Sequence, residues 1–196
     1  MEYITSSDFH FKDTAVALGK FEGIHRGHQL LMDEVKKQEL HGLRSVVFTF
    51  DRPTRLTLTG DTEYKQIYTK KERREILEKR GIDILIEHPF TKEFAALTPD
   101  RFIREVLVEK VGAKVIVVGT DFHFGKNRSG SITDLEKLEE ECGYHLIVVE
   151  KLQLNGKDIS STRIRASLEK GAMEEAKALL GRNYSVSGEI LHGNAL

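Results

Sequence analysis

The sequence holds a single cysteine, Cys142, among its 196 residues. One thiol excludes an intramolecular disulfide and leaves a cysteine-based zinc cluster without its ligands. An excess of either charge is also lacking: 30 Lys and Arg stand against 31 Asp and Glu, a net charge of −1. Such a balance argues against a surface built for long-range attraction to nucleic acid, while leaving room for a local basic pocket. No apolar run approaches the roughly 20 residues that span a bilayer. The first residues, MEYITSSDFHFKD, have neither the basic start nor the apolar stretch of a secretory signal. Internal repeats and low-complexity linkers are absent too. The expectation is a cytoplasmic protein with neither nucleic-acid nor membrane partner, its oligomeric state unspecified. Its length suits one domain with at most a short addition.

What is present is a series of short apolar runs without alternation: Thr14–Leu18, Ser45–Phe50, Ile82–Ile86, Lys114–Val118 and His145–Val149. Continuous β-branched runs of this length suit strands buried on both faces of a parallel sheet. Helical signals separate them. Thr69-Lys70-Lys71-Glu72 has the form of a capping box, with Gly81 ending the helix it opens. Thr98-Pro99 opens another, and Gly112 lies just past its end. Thr133 to Glu136 repeats the box, and Gly143 stops that helix. The mixed charges of Lys70–Arg80 read as a solvated face. Strands alternating with helices predict a doubly wound sheet, with its ligand beyond the strand C-termini at the switch in strand order.

Three segments sit at such ends. Gly19-Lys20-Phe21-Glu22-Gly23-Ile24-His25-Arg26-Gly27-His28 is neither a P-loop nor a dinucleotide fingerprint. Its glycines allow a sharp turn and close backbone approach, and a helix starting near Gly27 offers its positive end to an anion. His25 and His28, three apart, are placed to donate to one phosphate group. A His-x-x-His pair also suits a metal, but no third ligand stands at a familiar spacing. Turn chemistry alone explains the glycines, not the histidines and arginine beside them. The second segment is Ile159-Ser160-Ser161-Thr162-Arg163-Ile164-Arg165. Ser160 or Ser161 is a natural N-cap, yet two arginines in the first turn oppose the helix dipole unless a polyanion sits there. The third, Val118–Gly130, is a long loop whose Phe122 and Phe124 suit ligand contact and domain packing equally.

Together these residues carry a resemblance. GKFEGIHRGH resembles the His-x-Gly-His motif of the nucleotidylyltransferase superfamily, and ISSTRIR its second phosphate-binding motif. With VGTDFHFGKNRSG between them, the chain resembles the FMN adenylyltransferase (FAD synthetase) module of bacterial bifunctional riboflavin kinase/FAD synthetases, over nearly its whole length. The resemblance implies a Rossmann-like α/β/α sandwich of the nucleotidylyltransferase type. It also implies the reaction of ATP with FMN to give FAD and pyrophosphate, with Mg²⁺ accompanying the ATP. It casts His25, His28 and Arg165 as catalytic. Gly19, Phe21, Gly23, Gly27, Asp121, Ser160, Ser161, Thr162 and Arg163 become the nucleotide-binding set, with no protein metal ligand.

The family pattern also differs here in particular places. Glu22 stands where an Asp is usual, Lys20 where Asn or a small residue is, and His123 where Arg is. The Phe-x-Pro-His-Pro element near the flavin reads Phe50-Asp51-Arg52-Pro53-Thr54, without its histidine. A different phosphorylated acceptor (a pantetheine phosphate, nicotinamide mononucleotide or a polyol phosphate) and an inactive flavin- or nucleotide-binding regulatory module are therefore the competing expectations. Residues 1–181 are expected to form the transferase domain. Residues 182–196 resemble the linker and first strand of a riboflavin kinase barrel, whose remainder is missing, so no kinase activity is expected.

Overall fold

The computed structural model describes residues 1–52 and 65–188. A six-stranded parallel sheet runs through it in the order β1-β4-β3-β2-β5-β6. The strands are β1 (Glu2–Ile4), β2 (Thr14–Leu18), β3 (Arg44–Phe50), β4 (Ile84–His88), β5 (Ala113–Gly119) and β6 (His145–Val149). All five apolar runs became strands. β4 lies two residues later than its run and takes in Glu87 and His88, both buried. β1 was not anticipated, because three residues are too few for a pattern; its pairing with β4 defines it.

Every residue of β2 and β4 is buried. Val16 and Leu18 face one apolar cluster while Ala15 and Ala17 face another, as the twofold side-chain repeat of a strand requires. Helices α1 (Arg26–Lys37) and α2 (Lys70–Lys79) supply Leu31, Met32, Val35 and Leu77 to one side. The helix that follows α3 (Lys92–Ala95), and α5 (Ile132–Cys142), supply Phe102, Ile103, Leu107 and Leu135 to the other. The result is a Rossmann-like α/β/α sandwich. β6 departs from the expected burial on both faces, because it forms the sheet edge and is only partly covered.

The helix ends follow local chemistry. Thr69 and Glu72 form the full capping box of α2. Thr98 caps α4 (Pro99–Arg101), which widens into π turns over Phe102–Lys110. α5 starts two residues before the predicted box, with Ser131 and Asp134 as its capping pair. The reason is the loop before it: Gly130 pairs with Phe124, closing the loop one residue ahead of Ser131.

Gly112 has φ +66°, and a Cβ there would lie 2.2 Å from the Phe11 carbonyl oxygen. Backbone blocks the added atom, so the chain would have to move. Gly112→Ala is expected to destabilise the fold by about 3 kcal/mol, read as a lower urea midpoint. An unchanged midpoint would show that this junction yields freely.

The strand order determines where a ligand fits. After β2 the chain steps through β3 to β4 on one side; β5 and β6 lie on the other. The reversal therefore falls between β2 and β5, and a crevice opens at their carboxyl ends. The hairpin β7 (Gln153–Leu154) and β8 (Lys157–Asp158), with α6 (Ser161–Glu169) and α7 (Met173–Leu180), completes this end of the molecule. A third apolar cluster, including Ile67, Ile164 and Leu179, packs beneath it.

Candidate functional site at the switch point

Beyond Leu18 the chain makes a compact turn before entering α1. Phe21 and Ile24 adopt left-handed backbone angles, φ +46° and +42°, and both are fully buried. For a β-branched residue this conformation is strained, by about 1–3 kcal/mol, and survives only where its surroundings enforce it. The Phe21 ring lies against Gly19, where a Cβ would approach it to 3.1 Å. At Gly27 a Cβ would come within 3.3 Å of the His25 ring. The glycines thus make room for the two rings on which the turn is built.

His25 is the N-cap of α1, its Nδ1 accepting the His28 N–H at 3.3 Å. A neutral imidazole that accepts at Nδ1 carries its proton on Nε2, which leaves that N–H as a donor. The His25 and His28 rings stack at 3.7 Å, and Phe21 meets His28 edge-on at 5.0 Å. Burial, aided by the charge of Arg182, lowers the His25 pKa to about 4. Burial and the neighbouring His25 hold His28 well below its usual range. Both rings are therefore neutral at pH 7. The His28 Nδ1 is buried without a hydrogen-bond partner among the described residues. The first turn of α1 has no acidic side chain, so its positive end is left for an anion.

The second motif meets this turn through tertiary contact. An Arg165 Nη1 proton is donated to Glu22 Oε2 at 2.7 Å, across 143 residues of sequence. A Cβ on Gly23 would touch Ile67 at 3.1 Å and Ile164 at 3.4 Å, so only glycine lets α6 approach this closely. Ser160 caps α6 by accepting the Arg163 N–H at 3.3 Å. Ser161 is half-buried and Thr162 exposed in the first turn, which again lacks an acidic residue. Arg163 is differently engaged. Its guanidinium donates to Glu175 at 2.8 Å and 3.0 Å and to the Leu154 and Lys157 carbonyls. A phosphate would have to compete with those bonds, so Arg163 serves to tie α6 to α7 and the hairpin.

Asp121, just after β5, is near enough for its charge to raise the His25 pKa against the dominant effect of burial. It pairs with Lys151 at 3.1 Å. Phe124 is buried against Phe102, with ring centroids 5.3 Å apart, and Phe122 stacks on it at 5.5 Å. Both rings therefore pack on the domain.

Beside the turn is a cleft lined by Lys20, Glu22, Phe50, Asp51, Tyr68 and Arg73. Of the Phe50–Thr54 element, Pro53 and Thr54 lie outside the described residues. Phe50 continues into an aromatic group with Phe90 and Phe94, at 4.8 Å and 5.6 Å. Arg73 corrects the reading of Lys70–Arg80 as a wholly solvated face. Its side chain pairs with Glu87, which is fully buried and also accepts from the Tyr3 hydroxyl. That charge lies on a neighbouring strand, and the helical pattern of α2 carries no sign of it. Arg182, whose guanidinium reaches the turn itself, was missed for the same reason.

Among the described residues no three His, Cys, Asp or Glu side chains gather as a metal cluster, and no helix is long and apolar enough to cross a membrane. Comparison with known proteins agrees with this arrangement. The FAD synthetase family model matches residues 8–163, a span that includes all three motifs up to Arg163. A bifunctional riboflavin kinase/FMN adenylyltransferase of Buchnera aphidicola is 32% identical over 94% of this chain and 60% of its own length. The Listeria monocytogenes protein of the same description is 32% identical over 97% of this chain and 61% of its own. The chain thus spans about three fifths of these curated relatives. A crystal structure of a Streptococcus pneumoniae protein described as macrolide-efflux superposes with a TM-score of 0.83 at 30% identity, over 97% of this chain and 66% of that one. The match over residues 8–163, together with relatives 32% identical over almost the whole chain, shows that the chain belongs to the FAD synthetase family.

Proposed function

We propose that the protein is an FMN adenylyltransferase, transferring AMP from ATP to FMN and releasing pyrophosphate. The observation that carries this reading is the docking of Arg165 on Glu22, which joins the two phosphate-binding motifs at the switch point. An FMN phosphate oxygen attacks the α-phosphorus of ATP in line. The bond from that phosphorus to the α–β bridging oxygen breaks, and pyrophosphate leaves with the electron pair. Such a step needs alignment and charge stabilisation, not a protein nucleophile. The Nε2–H of His25 and the open end of α1 supply positive character beside the leaving group, and Arg165 adds to it on exchanging its bond to Glu22 for the triphosphate. The His28 ring, stacked on His25, completes the cradle. Ser161 and Thr162 offer hydroxyls at the second motif, and Asp121 borders the nucleotide from β5.

Mg²⁺ would accompany ATP and neutralise phosphate charge; a cation carried by phosphates needs few protein ligands, and among the described residues no carboxylate cage is found. The aromatic group at Phe50 suits a flat flavin ring beside the cleft. In this reading residues 1–181 form the transferase domain, residues 182–196 correspond to the linker and first strand of a riboflavin kinase barrel, and the enzyme works in the cytoplasm.

Incubation with ATP, Mg²⁺ and FMN is expected to yield FAD and pyrophosphate. Absence of both from folded protein would sink the reading. A panel of other phosphorylated acceptors in the same assay addresses the altered Phe50–Thr54 element. Turnover only with one of those would replace FMN as the acceptor, and binding of ATP and FMN without product would make the protein a regulatory module.

A further inference from the structure

Arg182 follows the last residue of α7 by two positions and turns back into the site. Among the described residues it forms no ion pair; carbonyl groups hold its guanidinium instead. One Nη2 proton goes to the Gly23 oxygen at 2.8 Å, and Nη1 is shared between the Ile24 oxygen at 2.8 Å and the Leu180 oxygen at 3.3 Å. The Gln29 amide donates to the same two acceptors, Ile24 at 2.9 Å and Leu180 at 2.8 Å. A cationic fork and an amide thus bind the strained Ile24 peptide to the end of α7 from two directions. Behind them the Tyr68 ring lies 5.1 Å from the guanidinium carbon, and Tyr184 packs on Tyr68 at 5.5 Å.

We propose that Arg182 is a positioning residue of the phosphate turn, clamping the Gly23–Ile24 carbonyls so that His25 and His28 face the nucleotide. The inference rests on the adenylyltransferase reading. Ile24 has no intrinsic preference for its left-handed angle, so external bonds must hold it there. His25 is the next residue, and any relaxation at Ile24 rotates its ring away from the cap it forms with the His28 N–H. Charged donors make stronger bonds to carbonyls than neutral ones, and a guanidinium reaches adjacent oxygens with two N–H groups fixed in one plane, a geometry that a single ammonium nitrogen does not reproduce. Lysine therefore keeps the charge but not the clamp. The carbonyls also occupy the guanidinium without a carboxylate, so its positive charge remains effective at the anion site.

The test compares Arg182→Ala and Arg182→Lys with wild type in steady-state kinetics, thermal melting and NMR of the His25 imidazole. Arg182→Ala is expected to lower kcat about 10-fold through misplacement of the turn, with KM for FMN unchanged, and millimolar guanidinium ion is expected to restore turnover. Arg182→Lys is expected to recover little of the loss, and it stands in should the alanine variant fold poorly. Wild-type kcat in both variants would overturn the proposal. So would a loss that follows the unfolded fraction and resists guanidinium. If wild-type protein makes no FAD, the function assignment fails by itself. The His25 resonances still report on the clamp, and their remaining unmoved in Arg182→Ala would refute it.

Discussion

Replacing His28 with alanine is expected to lower kcat about 10²- to 10³-fold, the cost of removing one preorganised donor from a developing anion, while FMN affinity holds at its wild-type value. Among the described residues the His28 ring stacks on His25 at 3.7 Å and meets Phe21 edge-on. Loss of the ring removes transition-state stabilisation and one wall against which His25 is aligned. Its effect should fall on kcat and on kcat/KM for ATP together, the signature of an interaction made mainly in the transition state. The pH profile adds a second constraint. Since His25 titrates near pH 4 and His28 lies well below its usual value, neither changes charge across the neutral range. Neutral rings donate through N–H, so activity should not decline between about pH 6 and 8 on their account. Below about pH 4 His25 takes a proton on Nδ1, the His28 N–H loses its acceptor, and a positive charge appears at the start of α1. Single-turnover assays across pH would measure both effects. An unaltered kcat in His28→Ala would remove the histidine from the mechanism.

Arg165→Ala is expected to reduce kcat/KM for ATP by a similar 10²- to 10³-fold, as loss of a charged group facing the triphosphate implies. It should also cost stability. Arg165 and Glu22 are 22% and 11% exposed in their side chains, so removing the arginine leaves a largely desolvated carboxylate without this partner, at about 1–3 kcal/mol. These two consequences separate in a second variant. Glu22→Gln combined with Arg165→Met removes the stranded charge, and its melting temperature should return towards wild type. Its activity should stay at the level of Arg165→Ala. Recovery of activity along with stability would mean that Arg165 only holds α6 to the turn and does not act on the nucleotide.

Both variants probe a site whose parts were unequally visible before folding. The turn was legible because its constraints are local. Glycines at 19, 23 and 27 with histidines at 25 and 28 describe a chain that bends tightly and ends in a helix N-terminus, although the bonds that hold Ile24 in its left-handed conformation come from Arg182, far along the chain. The capping boxes belong to the same class. Thr69 and Glu72 satisfy each other within one helical turn, whatever the rest of the chain does. Where a tertiary contact intervened, the local signal misled: the Phe124–Gly130 pairing moved the start of α5 from Thr133 to Ser131.

The glycine- and histidine-rich turn Gly19–His28 and the alternation of buried strands with capped helices were therefore legible in the sequence alone, since hydrophobic runs and backbone chemistry act at short range. Only the tertiary structure decided that Arg165 would meet Glu22, that Arg163 would be occupied by Glu175, and that Arg73 would enter the core to pair with Glu87. It also decided that Arg182 would reach the turn from beyond the last helix, 159 residues from Gly23. A guanidinium carries no local periodicity, and its partner is whichever buried oxygen the sheet order brings within reach.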